Sequence, residues 1–548
     1  MTQAPPSAAL PPTTVRSTTV LAAPLARPRQ AGRWPMGTGI RAWAVAHPVV
    51  ILVPLVVLAV VVQGVGATRW PAFGDDEGTY VAQAWALRSE GSLSHYTYWY
   101  DHPPFGWIQL AAGQWLFSLV LPADPMAAGR LLVVPYAVTS ALLTGLLALR
   151  LGLTAITAAA ATALTTLSPL ALFFTRGVYL DVIGLPWLLL AFVLLLSRRG
   201  DLALHATAGL AFAGAILSKE TFVLALPGLL LALRRGSSPN TRAFSLAAFL
   251  STAGLVVLAY PLLAVLKGEL VPGEDRVSLW DAAVFQLVGR TGTGTALDPA
   301  SPAAGLVRDW LALDPWLLGG GVLLAVPTLA SARLRVPAAT LLLLVLVGLR
   351  PGYLPVPYVV VLLPFAAIVV AGATQLVLET ARRTPLTQVV SVLAVAGLVA
   401  VAAPGWVGGV RTATTADSTA AHDTAVRTVV DSVPRQDRVL VDNTYYVDLV
   451  EAGFEPRYGA VWFYKMDLGA GLDPSVVRRL PDGWRDLDWV LLTPVMRDAL
   501  EADPDALSEV RLAVANSVPV VTFGTGDDEV ELRRVQPSQA DQADQVDP

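Results

Sequence analysis

Three consecutive carboxylates, Asp75-Asp76-Glu77, stand just before a run in which Tyr80, Val81, Ala84, Trp85 and Leu87 fall on one helical face. Adjacent acids repel and raise one another's pKa unless a cation lies nearby. Such a triplet is either the start of a helix, with Asp75 or Asp76 as cap, or a place where a carboxylate takes a proton from a nucleophile. A second cluster follows in Tyr98-Trp99-Tyr100-Asp101-His102-Pro103-Pro104, where the prolines bar helix and hold Asp101 and His102 in an extended turn. Three cations come later, each beside an acid or a tyrosine: Arg176 with Tyr179 and Asp181, Lys219 with Glu220, and Arg350 with Tyr353. Singly, each reads as a snorkelling or capping residue. Together they are equipped to hold an anionic phosphate while a carboxylate activates an attacking hydroxyl.

The elements that must position these groups are greasy. The chain has 548 residues, 54% hydrophobic and only 15% charged, with a mean hydropathy of +0.57. A soluble chain carries about 25% charged residues. There is no cysteine, which excludes disulfides, thiol nucleophiles and Cys-type metal sites. Candidate spans lie at 43–66, 130–150, 153–174, 180–197, 202–218, 220–234, 243–266, 313–332, 336–350, 357–378 and 386–408, about eleven in all. The first 41 residues hold five arginines and no acid. With that end in the cytoplasm, Arg150, Arg198, Arg199, Arg234, Arg235, Arg242, Arg333, Arg335, Arg382 and Arg383 all fall at inner turns. Nearly all acids before residue 409, Asp201 and Glu379 excepted, then face outward. The expected class is mainly α: a polytopic membrane helical bundle with a C-terminal extracytoplasmic α/β domain.

The expected domains are a disordered cytoplasmic N-terminus at 1–42 and a transmembrane domain at 43–408 with outer loops 67–129 and 267–312. An extracytoplasmic α/β domain follows at 409–535, and a disordered tail at 536–548. In loop 67–129, the Glu77–Arg88 and Phe105–Leu121 segments read as helices in the interface plane. The C-terminal part is acidic, 13 basic against 25 acidic residues after residue 408. It reads as helices at His422–Val433, Tyr445–Ala452 and Arg497–Leu500, and strands at Asp437–Val441, Asp488–Leu492 and Val518–Phe523. Asp442–Tyr446 and Trp462–Lys465 combine aromatics with polar groups in the manner of a carbohydrate-facing surface or of simple core aromatics.

The stretch Phe73-Gly-Asp-Asp-Glu-Gly-Thr-Tyr80, followed by Asp101-His-Pro-Pro104, resembles the first outer loop of GT-C membrane glycosyltransferases. The likeness is to the bacterial family-39/aminoarabinose-transferase-like group, related to protein O-mannosyltransferases, and covers about residues 43–408. Arg176–Asp181 and Arg350–Pro355 resemble later family elements. Ser218-Lys219-Glu220 departs from the family's Thr/Ser-Lys-Gly turn by losing the glycine. The resemblance implies inverting transfer of a hexosyl or pentosyl group from a polyprenyl-phosphate carrier to an acceptor hydroxyl of an envelope protein, polysaccharide or lipid. It implies Asp76 as general base with Asp75 and Glu77 as alternates, and Asp101 and His102 beside the acceptor or a metal. Tyr80 and Asp181 join the substrate-binding set. Arg176, Lys219 and Arg350 would hold the carrier phosphate, and Tyr353 is a further substrate-binding residue. A divalent cation remains open. No nucleotide cofactor or nucleic-acid partner is expected, since no P-loop or dinucleotide glycine fingerprint is present. The competing readings are a transporter or flippase for a lipid-linked or anionic substrate, and a non-enzymatic envelope scaffold. Transporters more often carry their charges near the bilayer midplane on repeated, broken helices.

Overall fold

A computed structural model describes residues 50–118, 124–197, 201–273, 277–290, 292–382, 384–467 and 474–536. The expected N-terminal segment 1–42, the basic turn residues Arg198, Arg199 and Arg383, and nearly all of the acidic tail lie outside the described residues. Two layers make up the rest: a helical bundle, and a five-stranded sheet with its helices seated on one end of that bundle.

Apolar runs set the bundle. Pro125–Arg150, Arg242–Lys267, Val356–Ala381 and Pro385–Ser432 are long and apolar enough to cross a membrane. Two bent pairs, Ala155–Leu167 with Pro169–Thr175 (61°) and Pro302–Leu313 with Leu318–Thr328 (96°), bring the number to six if each pair is one span. Both bends are written locally. Ser168 caps the helix that Pro169 begins, accepting from the Ala171 N–H at 3.3 Å. Asp314 accepts from the N–H groups of Trp316 and Leu317, each at 3.0 Å, and from the Ser168 hydroxyl at 2.6 Å.

Several expected spans are shorter helices. The run expected to cross at 220–234 is a 3₁₀ turn, Glu220–Ala225, followed by Leu226–Gly236 with Pro227 in its first turn. Eleven helical residues reach only ~16 Å, about half the hydrocarbon thickness. Leu180–Leu195, Leu202–Ser218 and Arg335–Gly348 are apolar helices of similar modest length. Leu202–Ser218 packs between Leu180–Leu195 and Arg242–Val257, and Pro125–Arg150 packs on Leu180–Leu195.

The α/β part is a mixed sheet of order β2-β1-β3-β5-β4: β1 Val439–Val441, β2 Ala460–Trp462, β3 Trp489–Leu492, β4 Ser517–Phe523 and β5 Val530–Val535. β1 pairs parallel with β2 and with β3, while β5 runs antiparallel to β3 and to β4. All three residues of β1 are buried, as a central parallel strand covered on both faces requires. β2 and β5 were not among the strands anticipated; β2 is only three residues long and carries no alternation to betray it.

The helix Asp75–Ser89 departs most from expectation. A helix lying in the membrane interface would bury one face. Here Gly78 and every residue from Tyr80 to Ala86 are buried, because the C-terminal helix Asn443–Glu451 lies directly on it.

Candidate active site

The carboxylate triplet divides into three environments. Glu77 is fully buried and faces an equally buried Arg130, with Nε to Oε2 at 3.0 Å and Nη2 to Oε1 at 2.8 Å. Its carboxylate also accepts from the Val178 N–H at 2.9 Å and the Gly74 N–H at 3.2 Å. Arg130 uses its remaining donors on the carbonyls of Pro71 (2.6 Å) and Ala72 (3.0 Å). Gly74 is therefore the cap and Glu77 closes the first turn, where Asp75 or Asp76 had been expected to do so. A pair satisfied on every side is a positioning device, and Glu77 has no lone pair left for a substrate proton.

Asp75 begins the helix and turns toward the C-terminal domain. Its carboxyl is held well above the usual carboxylate range by burial, then by Asp442 and Asp76. Asp76 alone is exposed. It lies within electrostatic range of Tyr80, Lys219, Tyr353 and Tyr464.

The second cluster converges on the same place. His102 Nδ1 is 2.8 Å from Glu220 Oε2, and Nε2 is 3.0 Å from Lys219 Nζ. An ammonium has no lone pair, so Lys219 Nζ donates to Nε2, and Nδ1–H donates to Glu220. Lys219 Nζ lies 4.0 Å from Asp181 Oδ2, both side chains being buried. The Tyr80 ring sits 6.2 Å from that of His102. The turn is held by tyrosines: Tyr98 donates to the His102 carbonyl at 2.7 Å and Tyr260 to the Tyr100 carbonyl at 2.9 Å. Asp101 keeps Oδ1 buried without a partner among the described residues. Glu220 stands where the family turn carries glycine, and its carboxylate fixes His102.

The other two expected cations stand in different surroundings. Arg176 is fully buried and gives its Nη groups to the carbonyls of Val62, Ala413 and Val65 (2.9 Å for the last). It ties the helix Val53–Gly64 to the end of Pro385–Thr415 and is not free for a headgroup. Arg350 is exposed, and among the described residues its hydrogen bond is to its neighbour's carbonyl, Pro351 O, at 3.3 Å. Arg290, which sequence reading passed over, stacks on Tyr353 with 3.4 Å from guanidinium carbon to ring centroid. It follows the apolar turn Phe285–Gly289 in the 267–312 segment, and nothing local marks its pairing with a distant tyrosine.

The C-terminal domain closes one wall. A Cβ on Gly78 would lie 2.3–2.4 Å from backbone atoms of Asn443 and Thr444, so only glycine allows this approach. Asn443 Nδ2 donates to Thr79 Oγ1 at 2.8 Å, and Thr79 donates to the Asp75 carbonyl at 3.1 Å. His95, lowered to about 3 chiefly by burial, is neutral and lies 3.1 Å from Asn443 Oδ1. Arg88 pairs with Glu451 at 2.9 Å, and Arg457 with Glu90.

The same interface carries a pH sensitivity. Asp448 is pushed up to about 7, first by burial and against the pull of His422, whose Nε2 is 3.6 Å away. Between the unfolded carboxyl value near 4 and about 7 the folded state holds the extra proton. Stability is therefore greatest at the acid end and falls as pH rises through about 7. Asp448→Asn should flatten that slope, an effect of at most about 4 kcal/mol at 1.36 kcal/mol per pKa unit, read as the pH dependence of amide exchange in Asn443–Glu451.

Among the described residues no group of three or more His, Asp or Glu side chains is placed to hold a metal ion.

The fold, a bundle of apolar helices with a seated α/β domain, is shared by solved structures. ArnT from Cupriavidus metallidurans shares it, at 17% identity over 88% of this chain and 98% of that one, with TM-scores of 0.57 in the apo state and 0.55 bound to undecaprenyl phosphate. So does the oligosaccharyltransferase AglB from Archaeoglobus fulgidus in complex with an inhibitory peptide and a dolichol-phosphate, at 12% identity over 89% of this chain and 74% of that one (TM-score 0.51). No family model matches the chain. No curated protein matches it either.

Proposed function

We propose that this protein transfers a sugar from a polyprenyl-phosphate carrier to an acceptor hydroxyl, with inversion, at the outer face of a bacterial cytoplasmic membrane. The observation that carries the reading is convergence. An exposed carboxylate, Asp76, shares one end of the bundle with Lys219 and with Tyr353 beneath Arg290, in a fold common to proteins crystallised with lipid phosphates. The placement of arginines supports a cytoplasmic N-terminal end, with the 409–535 domain outside.

The chemistry follows from the charges. Asp76 takes the acceptor's O–H proton as that oxygen bonds to the anomeric carbon. The bond from that carbon to the phosphate oxygen breaks, and polyprenyl phosphate leaves with the electron pair. Arg290 and Lys219 stabilise the departing anion, taking the part expected of Arg176 and Arg350. Asp75 suits the base role less, since its carboxyl, raised by burial, is turned toward the C-terminal domain. His102, pinned between Lys219 and Glu220, orients Lys219. Trp462 and Tyr464, beside Asp75 and Asp76, wall the acceptor side.

Membranes containing the protein, given radiolabelled polyprenyl-phosphate sugars of the mannosyl, glucosyl and arabinosyl types, should release polyprenyl phosphate and label an envelope fraction. Arg290→Gln should raise the donor KM at least tenfold, and Arg350→Gln less than threefold. No turnover of any of the three donors, or the reverse order of the two arginines, would remove this assignment.

A further inference from the structure

The sheet order creates a second site, away from the carboxylate cluster. From β1 the chain moves to β2 on one side and then to β3 on the other, so the order reverses between β1 and β3. In open α/β sheets ligands settle outside the carboxyl ends of the strands at such a point. Here a shallow cleft of about 110 Å³, open to solvent, lies there, lined by Asp442 after β1 and Thr493 after β3.

The lining selects the ligand. No lysine or arginine faces the cleft, while Asp442 and Asp528 do, which disfavours phosphates and other anions. Phe73, His422 and Tyr445 form a continuous aromatic wall, with ring centroids 4.8 and 4.2 Å apart. Asp442 is already occupied, accepting from the Thr444 N–H at 2.8 Å and its hydroxyl at 2.6 Å, and from the Thr493 hydroxyl at 2.5 Å. The rim groups Asp528 and Ser418 remain to meet hydroxyls. Aromatic side chains beside a carboxylate and a hydroxyl, without a lysine or arginine, fit a neutral saccharide.

We infer that the cleft between the carboxyl ends of β1 and β3 binds a neutral saccharide, separately from the transfer site. One wall belongs to the catalytic loop: Phe73 lies two residues before Asp75, with the Arg130 guanidinium 4.1 Å from its ring centroid. A saccharide held there sits against the segment that carries the carboxylates. The site anchors a glycan chain beside the reaction centre.

The test uses the full chain in detergent and titration calorimetry with mannotriose, maltotriose and arabinotriose, with glucose 6-phosphate as the anionic control. At least one trisaccharide should bind saturably. Val495→Trp, which fills the cleft, should weaken it at least tenfold, and Asp528→Ala at the exposed rim at least threefold. Asp76→Asn should leave it within twofold. The inference is overturned if none of the three binds, if binding survives both cleft variants, or if glucose 6-phosphate binds as tightly. Loss of binding in Asp76→Asn with both cleft variants intact would also overturn it, placing the sugar in the transfer site and leaving the proposed reaction untouched.

Discussion

Asp76→Asn should lower the rate of sugar transfer by about 10²–10⁴-fold, the usual contribution of a positioned general base. Donor KM should stay within about threefold, because the phosphate is held by other side chains. The amide keeps the size of the carboxylate but cannot take the acceptor's proton. Asp76 is exposed and carries none of the interlocking contacts of Glu77, so folding should be unaffected. Its two neighbours supply the contrast. Asp75 is shielded by the C-terminal domain, and burial with the neighbouring Asp442 and Asp76 raises its carboxyl well above the usual range. Asp75→Asn should therefore reduce the rate much less than Asp76→Asn. Single-turnover measurement on purified protein at fixed donor separates the two. Equal rates in Asp76→Asn and the unaltered protein would end the case for Asp76 as the base.

Glu77→Ala should cost about 3–5 kcal/mol of stability, the usual penalty for leaving a buried ion without its partner. Arg130 would face a void with its charge uncompensated, beneath the segment that carries Asp75 and Asp76. The effect should appear as a large fall in thermal unfolding temperature and in folded yield, not as a selective fall in kcat. Replacing both partners at once, Glu77→Leu with Arg130→Met, should recover part of the loss, because neither charge is then stranded. A well-folded Glu77→Ala protein with normal stability but no turnover would instead place Glu77 in the chemistry. The distinction matters because Asp75, Asp76 and Glu77 are chemically alike and adjacent, and only their surroundings tell them apart.

How much of this was legible depended on the range of each interaction. The apolar helices were visible because hydropathy accumulates within a window of neighbouring residues. Pro125–Arg150 and Leu202–Ser218 appear where the apolar runs put them. The strands Val439–Val441 and Trp489–Leu492 were visible for the same reason. The Asp-Asp-Glu and Asp-His-Pro-Pro segments were conspicuous as chemistry, and the structure brings Asp76, Tyr80, His102, Asp181, Lys219 and Tyr353 toward one end of the bundle. The arginines are the least legible. Whether a guanidinium meets a lipid phosphate or three backbone carbonyls depends on where distant helices end, and Arg176 found the carbonyls of Val62, Val65 and Ala413. Arg290 was overlooked because its partner Tyr353 belongs to a different element.

By itself, the order of residues determined that the chain builds apolar helices around a few isolated charges and ends in an acidic α/β region, since burial preference and local periodicity need no partner to be expressed. Tertiary structure decided which carboxylate is locked, which is covered and which is open. It seated Asn443–Glu451 against Gly78, where no side chain fits, and gave Glu77 to Arg130. The physical reason is that desolvation and Coulomb energy depend on what lies within a few ångströms in space, a distance that position along the chain does not encode.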